Sequence, residues 1–194
     1  MKIDHCKKEL KLKSYIESYR DVERFIGFCK ACEGYGKTWA CPPFEVAPPL
    51  EEYEYITIIG SKIYNSEQEF SSTDKMREAV RQIFDISRLT LDDRLLEIEA
   101  RYPTTRTLFP GSCRRCPAGE CTRLQSKPCI MPDKMRPSLE ALGFDLGRTT
   151  SEVLDIELKW GSGTGLPPYY TLVYGVLSHE PLPNEAFNII TGEF

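Results

Sequence analysis

Tyr55-Ile56-Thr57-Ile58-Ile59 places five β-branched or aromatic side chains in a row. Such a run suits a pleated surface apolar on both faces, and it predicts a buried strand. Outward from it, Ser71-Ser-Thr73-Asp74 is a helix start, and Met76, Val80, Ile83 and Phe84 repeat behind it at three- and four-residue intervals. Thr90-Leu-Asp-Asp93 matches a second capping pattern, with Leu91, Leu95 and Ile98 following. The region is therefore one kinked helix or two in sequence, ending before Pro103. Thr105 to Phe109 reads as a short strand. Strand, helical crossover and strand predict a right-handed parallel unit.

Toward the N-terminus, Leu10, Leu12 and Ile16 at even spacing predict a strand over 9–17. Asp21 followed by Val22, Phe25 and Ile26 predicts a capped helix over 21–28. Downstream, Pro137 to Gly143 is a short helix with Pro in its first turn and Gly past its end. Residues 150–158 read as helical, and Tyr169 to Leu177 is the last strand. Gly161-Ser-Gly-Thr-Gly165 lacks the Lys-Ser/Thr end of a phosphate loop and reads as a turn. The expected fold class is α/β (α+β): a small mixed β-sheet with helices packed on it and cysteine-rich metal-binding loops at one edge. Residues 1–194 form a single domain, with those loops at 29–43 and 111–137.

The chain has 194 residues and a net charge of −4, with 41% hydrophobic and 28% charged residues. That is an ordinary globular composition, and the acidic balance argues against a nucleic-acid partner. The longest apolar runs fall short of a membrane span, and Met1 to Lys8 carries no apolar signal core. A cytoplasmic location is therefore expected. Thiols there stay reduced, so eight cysteines point to metal or redox chemistry; four structural disulfides are the plain alternative.

Four cysteines fall within 17 residues in Cys113-Arg-Arg-Cys116-Pro-Ala-Gly-Glu-Cys121, closed by Pro128-Cys129. Thiolates gathered so closely hold a tetrahedral zinc or an iron–sulfur cluster. Arg114, Arg115, Arg123, Lys127, Lys134 and Arg136 surround them, opposed by Glu120 and Asp133. This local positive charge is expected to keep the thiols ionised. The spacing matches neither the paired zinc knuckles nor the bacterial ferredoxin run. A 4Fe–4S cluster on Cys113, Cys116, Cys121 and Cys129 is the leading expectation, with zinc as the alternative. The redox reading calls for a partner protein with which to exchange electrons.

Cys29, Cys32 and Cys41 form a second group that leaves a metal one ligand short. Cys6 or His5 could complete it, or the position could stay open for a substrate or water, with Lys37 and Tyr35 nearby. Trp39 and Tyr35 are expected to be core aromatics that wedge the loop shut. His5 and His179 are the only histidines, and nothing marks a Ser-His-Asp or Cys-His hydrolase.

Cys29-x2-Cys32-x2-Tyr35-Gly-Lys-x-Trp39-x-Cys41-Pro-Pro, with Gly111-Ser-Cys113-x2-Cys116, Pro128-Cys129-x2-Pro132 and Arg136-Pro-Ser-x-Glu140-Ala-x-Gly143, resembles the prokaryotic predicted metal-binding protein family known as domain of unknown function twenty-two eighty-four. The resemblance implies a cysteine-bound metal on Cys29, Cys32, Cys41, Cys113, Cys116, Cys121 and Cys129, and leaves Cys6 outside the motif. It implies no reaction.

Overall fold

In the computed structural model, residues 2–46, 48–65, 71–116, 121–161 and 166–192 are described. The 55–59 run lies within strand β2 (Tyr55–Tyr64), flanked by β1 (Ile3–Lys11) and β4 (Tyr169–Ser178). With β3 (Arg106–Leu108) the sheet order is β1-β2-β4-β3, and every neighbouring pair is antiparallel. The sheet is thus antiparallel rather than mixed. β2 and β3 do run in the same direction, as the crossover reading requires. They are not neighbours, however, because β4, arriving from the far end of the chain, inserts between them and takes the hydrogen bonds of both.

Residues alternate between the faces of the central strands, and both faces are covered. Ile56, Ile58, Val173 and Leu177 belong to one core with Leu12, Tyr15 and Phe144. Ile59, Ile63, Tyr174 and Val176 belong to the other, with Leu91, Leu95, Ile98 and Phe109. Two buried faces explain why β2 is apolar without alternation.

The first face is closed by α1 (Leu12–Tyr19) and by the segment that carries Leu142, Phe144, Leu154 and Ile156. α1 occupies the stretch expected to be strand. Leu12, Tyr15, Ile16 and Tyr19 recur at helical spacing, so the strand ends at Lys11 and the helix follows without a loop. α2 (Val22–Ala31) begins where expected, with the Asp21 carboxylate accepting the Arg24 N–H at 3.0 Å.

The second face is closed by α3 (Thr73–Arg101) and α5 (Asn184–Thr191). α3 is one continuous helix, capped by Ser72. Thr90 does not cap a second one; its hydroxyl donates to the Ile86 carbonyl at 3.2 Å, as Ser87 does to Ile83 at 2.7 Å. Both fold back onto the preceding turn, the way such residues are accommodated inside a helix. Toward the C-terminal end, the expected helix at 150–158 is displaced. Asp145 caps α4 (Leu146–Arg148), which widens into a π turn over Thr149–Val153 and stops before Leu154. The expected helix at 137–143 contracts to a 3₁₀ turn at Glu140–Leu142, ended by Gly143 in the left-handed region as predicted. The proposed turn at 161–165 lies outside the described residues except for Gly161. Among the described residues, no helix is long and apolar enough to cross a membrane.

Candidate metal centre

All eight cysteines are free thiols. The 110–136 loop leaves the edge strand β3 and is pinched at its base, where the Phe109 N–H donates to the Pro137 carbonyl at 2.9 Å. Inside it, Cys113, Cys116, Cys121 and Cys129 line one cavity of about 40 Å³, roofed by Thr38 and Trp39 from the other cysteine loop. The backbone of Arg115 hydrogen-bonds Cys113, that of Thr122 hydrogen-bonds Cys116, and the Cys116 and Cys121 thiols share a hydrogen bond. Residues 117–120, within this loop, lie outside the described residues.

The second group starts on a helix rather than in a loop. Cys29 sits in the last turn of α2 and Cys32 is its C-terminal cap. The Gly34 N–H donates to Cys32 Sγ at 3.4 Å. A Cβ on Gly34 would stand 3.8 Å from both Cys32 Sγ and Cys41 Sγ, so both sulfurs border that glycine. Cys6 does not join them. It lies in β1 opposite Gly60, half-buried against the first core, in a cleft with Asp4, His5 and Lys62. The stretch that carries both His5 and Cys6 is a sheet strand.

One side chain fastens the two cysteine loops together. Arg123 Nη1 donates to the carbonyls of Thr38 and Cys41, each at 2.7 Å, and Nη2 to that of Pro43 at 2.5 Å. Its guanidinium also lies over the Trp39 ring, 5.1 Å from the centroid. Trp39 returns the contact by donating Nε1–H to the Lys127 carbonyl at 3.1 Å. Trp39 is therefore a partly exposed clasp between loops, where the sequence suggested a core wedge.

The local positive charge is also answered more fully than the sequence indicates. Arg114 pairs with Asp85, Arg115 with Asp93 at 2.6 Å, and Arg136 with Glu99 at 2.5 Å, and all three acids belong to α3. Glu99 further accepts the Thr107 N–H at 2.7 Å and the Thr107 hydroxyl at 2.6 Å, tying α3 to β3 beneath the loop. With Arg114, Arg115 and Arg136 paired to acids and Arg123 spent on carbonyls, burial sets the direction for the thiols. It pushes Cys113 and Cys116 up, as it does Cys29 and Cys41, and neighbouring cysteines add to the effect in each case. Burial thus opposes the ionised form of Cys113 and Cys116, where the nearby cations were expected to favour it.

Sequence reasoning missed Glu140 beyond its place in the motif. It raises the thiols of Cys29 and Cys41 electrostatically; burial raises its own carboxyl, and its Oε2 is buried without a hydrogen-bond partner. It also missed Arg88, buried in α3 with Asp92 3.5 Å away. Gly111, at φ +89°, turns the chain across that guanidinium, where a Cβ would meet Arg88 Nη1 at 3.3 Å.

Among the described residues, no group of three or more His, Cys, Asp or Glu side chains is arranged to hold a metal ion as it stands. The donor chemistry nonetheless suits a thiophilic metal. Four thiols share one small cavity, and gathering them as thiolates creates a repulsion that a cation relieves. No curated protein and no solved structure matches the chain. A family model does match, over residues 16–176, a span that takes in the seven cysteines of the two loops and leaves Cys6 outside. On that match the chain belongs to the family described as Predicted metal-binding protein (DUF2284).

Proposed function

We propose that the protein carries an iron–sulfur cluster of the 4Fe–4S type on Cys113, Cys116, Cys121 and Cys129. In this reading it exchanges electrons with a protein partner in the cytoplasm. The observation that supports this is the single cavity lined by all four thiols, roofed by Trp39 and hydrogen-bonded from the backbone of Arg115 and Thr122. A cluster held there supplies one-electron chemistry at a potential set by hydrogen bonds to sulfur and by solvent exposure. The chain supplies those settings: peptide groups stabilise thiolate charge, while Trp39, held under Arg123, lines the cavity. Anaerobic purification followed by iron and acid-labile sulfide assays tests the reading. About four of each per chain is expected; a colourless protein holding stoichiometric zinc without sulfide rejects it.

A zinc module that presents a surface to a protein partner is the second reading. The bond from the Gly34 N–H to Cys32, and that from the backbone of Arg115 to Cys113, both link residues two apart, a tight turn suited to tetrahedral zinc–thiolate sites. Zinc bound without sulfide at both groups selects it. The triplet Cys29, Cys32 and Cys41 would then be closed by a fourth ligand, or would keep a position open for a substrate. Absorption-edge spectroscopy of the metal-loaded protein, with and without added small thiols, separates the two: only an open shell changes.

A further inference from the structure

The triplet Cys29, Cys32 and Cys41 is one ligand short of a tetrahedral shell. The two donors that the sequence offers for the fourth place lie on β1 instead: Cys6 stands opposite Gly60, and the His5 ring shares a hydrogen bond of 2.7 Å with Ser61. A different residue lies beside Cys29. Cys29 Sγ is 4.0 Å from the carbonyl oxygen of Glu140, and both residues line one cavity at the end of α2. The Glu140 carboxylate acts electrostatically on Cys29 and Cys41, and Cys32 acts on the same two thiols. The three sulfurs and the carboxylate thus form one cluster.

Glu140 is well anchored for such a role. It opens the 3₁₀ turn Glu140–Leu142, in which the Leu142 carbonyl accepts Arg20 Nε–H at 2.8 Å. The next residue, Gly143, accepts the Asp21 N–H at 2.9 Å, at the head of the helix that carries Cys29. Turn and helix are therefore fixed to each other. The carboxyl is hydrogen-bonded by the Ser138 hydroxyl and by its own backbone N–H, yet Oε2 is buried with no partner. A carboxylate steadied by such bonds, with one oxygen left over, has the form of a metal ligand. A bare buried acceptor costs stability, and a cation offsets that cost. A metal arriving on the three sulfurs needs no solvent channel to reach it.

From this we infer that Glu140 is the fourth ligand of the triplet, closing a tetrahedral site of three sulfurs and one oxygen for a divalent thiophilic cation such as zinc. This rests on the triplet being a metal group, and it leaves no position there for a substrate or water. Among the described residues no three of these donors form a shell as the chain stands. Cys32 Sγ and Cys41 Sγ both border Gly34 in the loop that follows α2, so metal uptake draws that loop toward Cys29 and the anchored carboxylate. Three thiolates and a carboxylate outweigh a divalent charge. Arg123, acting on Cys41, and Arg88, acting on Glu140, supply the balance.

The test uses the full chain carrying Cys113→Ser and Cys116→Ser, which leaves the triplet as the intact thiol group, loaded with one equivalent of zinc or cobalt(II). X-ray absorption of the zinc form is expected to show three sulfurs at about 2.3 Å and one oxygen at about 2.0 Å, unchanged by an added small thiol. Glu140→Gln keeps the shape and removes the charge. In it, cobalt affinity is expected to fall at least about tenfold, and added thiol then enters the shell. Glu140→Cys is expected to supply a fourth sulfur, raising the sulfur-to-cobalt charge-transfer absorption per metal by about a third. It keeps the test readable if Glu140→Gln folds poorly. Entry of added thiol into the shell with Glu140 in place overturns the inference and leaves the triplet a metal group. So does unchanged affinity in Glu140→Gln together with no fourth sulfur in Glu140→Cys. Failure of the reduced triplet to take up cobalt at all overturns the inference and the metal reading of the triplet together.

Discussion

Arg123 joins the two cysteine loops through a single side chain. Its sequence neighbourhood marks it as one more cation beside the thiols, yet it spends its charge on three backbone carbonyls and a tryptophan face. Arg123→Ala is expected to cost about 2 kcal/mol, since hydrogen bonds to charged groups run at about 1.5–3 kcal/mol and this one is partly solvated. A lower urea midpoint with unchanged slope, and a red shift of Trp39 emission, report it. Arg123→Lys is expected to recover less than half, because an ammonium cannot reproduce the planar fork. Asp92 sets a pH dependence of its own. Burial, opposed by Arg88 and Arg115 and aided by Asp93, holds its carboxyl up to about 6, and it faces Cys113 as well. The folded state then binds the proton more tightly than the unfolded chain does. The stabilisation is full below pH about 4 and is lost as the pH rises through about 6, a change of up to about 3 kcal/mol. Asp92→Asn should flatten that slope in unfolding curves measured from pH 4 to 7.

At the scale of elements, the positioning of Cys29 runs through a glycine. The 3₁₀ turn Glu140–Leu142 ends at Gly143, φ +87°, and a Cβ there would stand 2.9 Å from the Val22 Cα at the start of α2. Backbone cannot yield as a side chain tip can. The Asp21 N–H also donates to the Gly143 carbonyl at 2.9 Å, so the contact holds the head of the helix whose tail carries Cys29. Gly143→Ala is expected to destabilise the fold by about 2–3 kcal/mol, left-handed strain plus the clash. Thermal unfolding reads the cost, and the rate of Cys29 labelling by a thiol reagent should rise with it. The same contact shows what a single sequence can carry. Gly after Leu142 was legible as a helix stop because the requirement is local, as were the Asp21 cap and the β-branched run of β2. The partner of each strand was not legible, since β4, which starts 105 residues after β2 ends and 61 after β3 ends, inserts between them and no spacing encodes that. Spacing alone marked the four cysteines that line one cavity. The clasp between the two loops was not legible, because Arg123 and Trp39 meet only after both loops have docked. Nor was the neutralisation of Arg114, Arg115 and Arg136, whose partners sit on α3 before the loop begins.

For the whole molecule, the division between sheet and loops decides what metal does to stability. Two cores, one on each face of the sheet, contain no cysteine of either loop among their buried residues. A chain of 194 residues can bury enough apolar surface to fold on that basis, unlike the mini-domains that need a metal staple. The thiols of Cys29, Cys41, Cys113 and Cys116, pushed up by burial, are largely protonated at neutral pH in the metal-free protein. Metal uptake must therefore expel protons, and affinity rises with pH. Calorimetric titration with cadmium in buffers of different ionisation enthalpy should show more than about one proton released per ion at pH 7. Cys116→Ser removes one donor from the quartet while touching neither core. Far-UV circular dichroism and a cooperative unfolding transition should survive it, while metal content at the quartet falls. The unaltered triplet should still take up cadmium. If Cys116→Ser instead unfolds the chain, the loops are structural staples and the zinc reading gains what the electron carrier loses. A folded variant with a diminished metal content leaves the fold as a scaffold that holds two thiol groups in position, with Arg123 and Trp39 keeping them together whether or not a metal is bound.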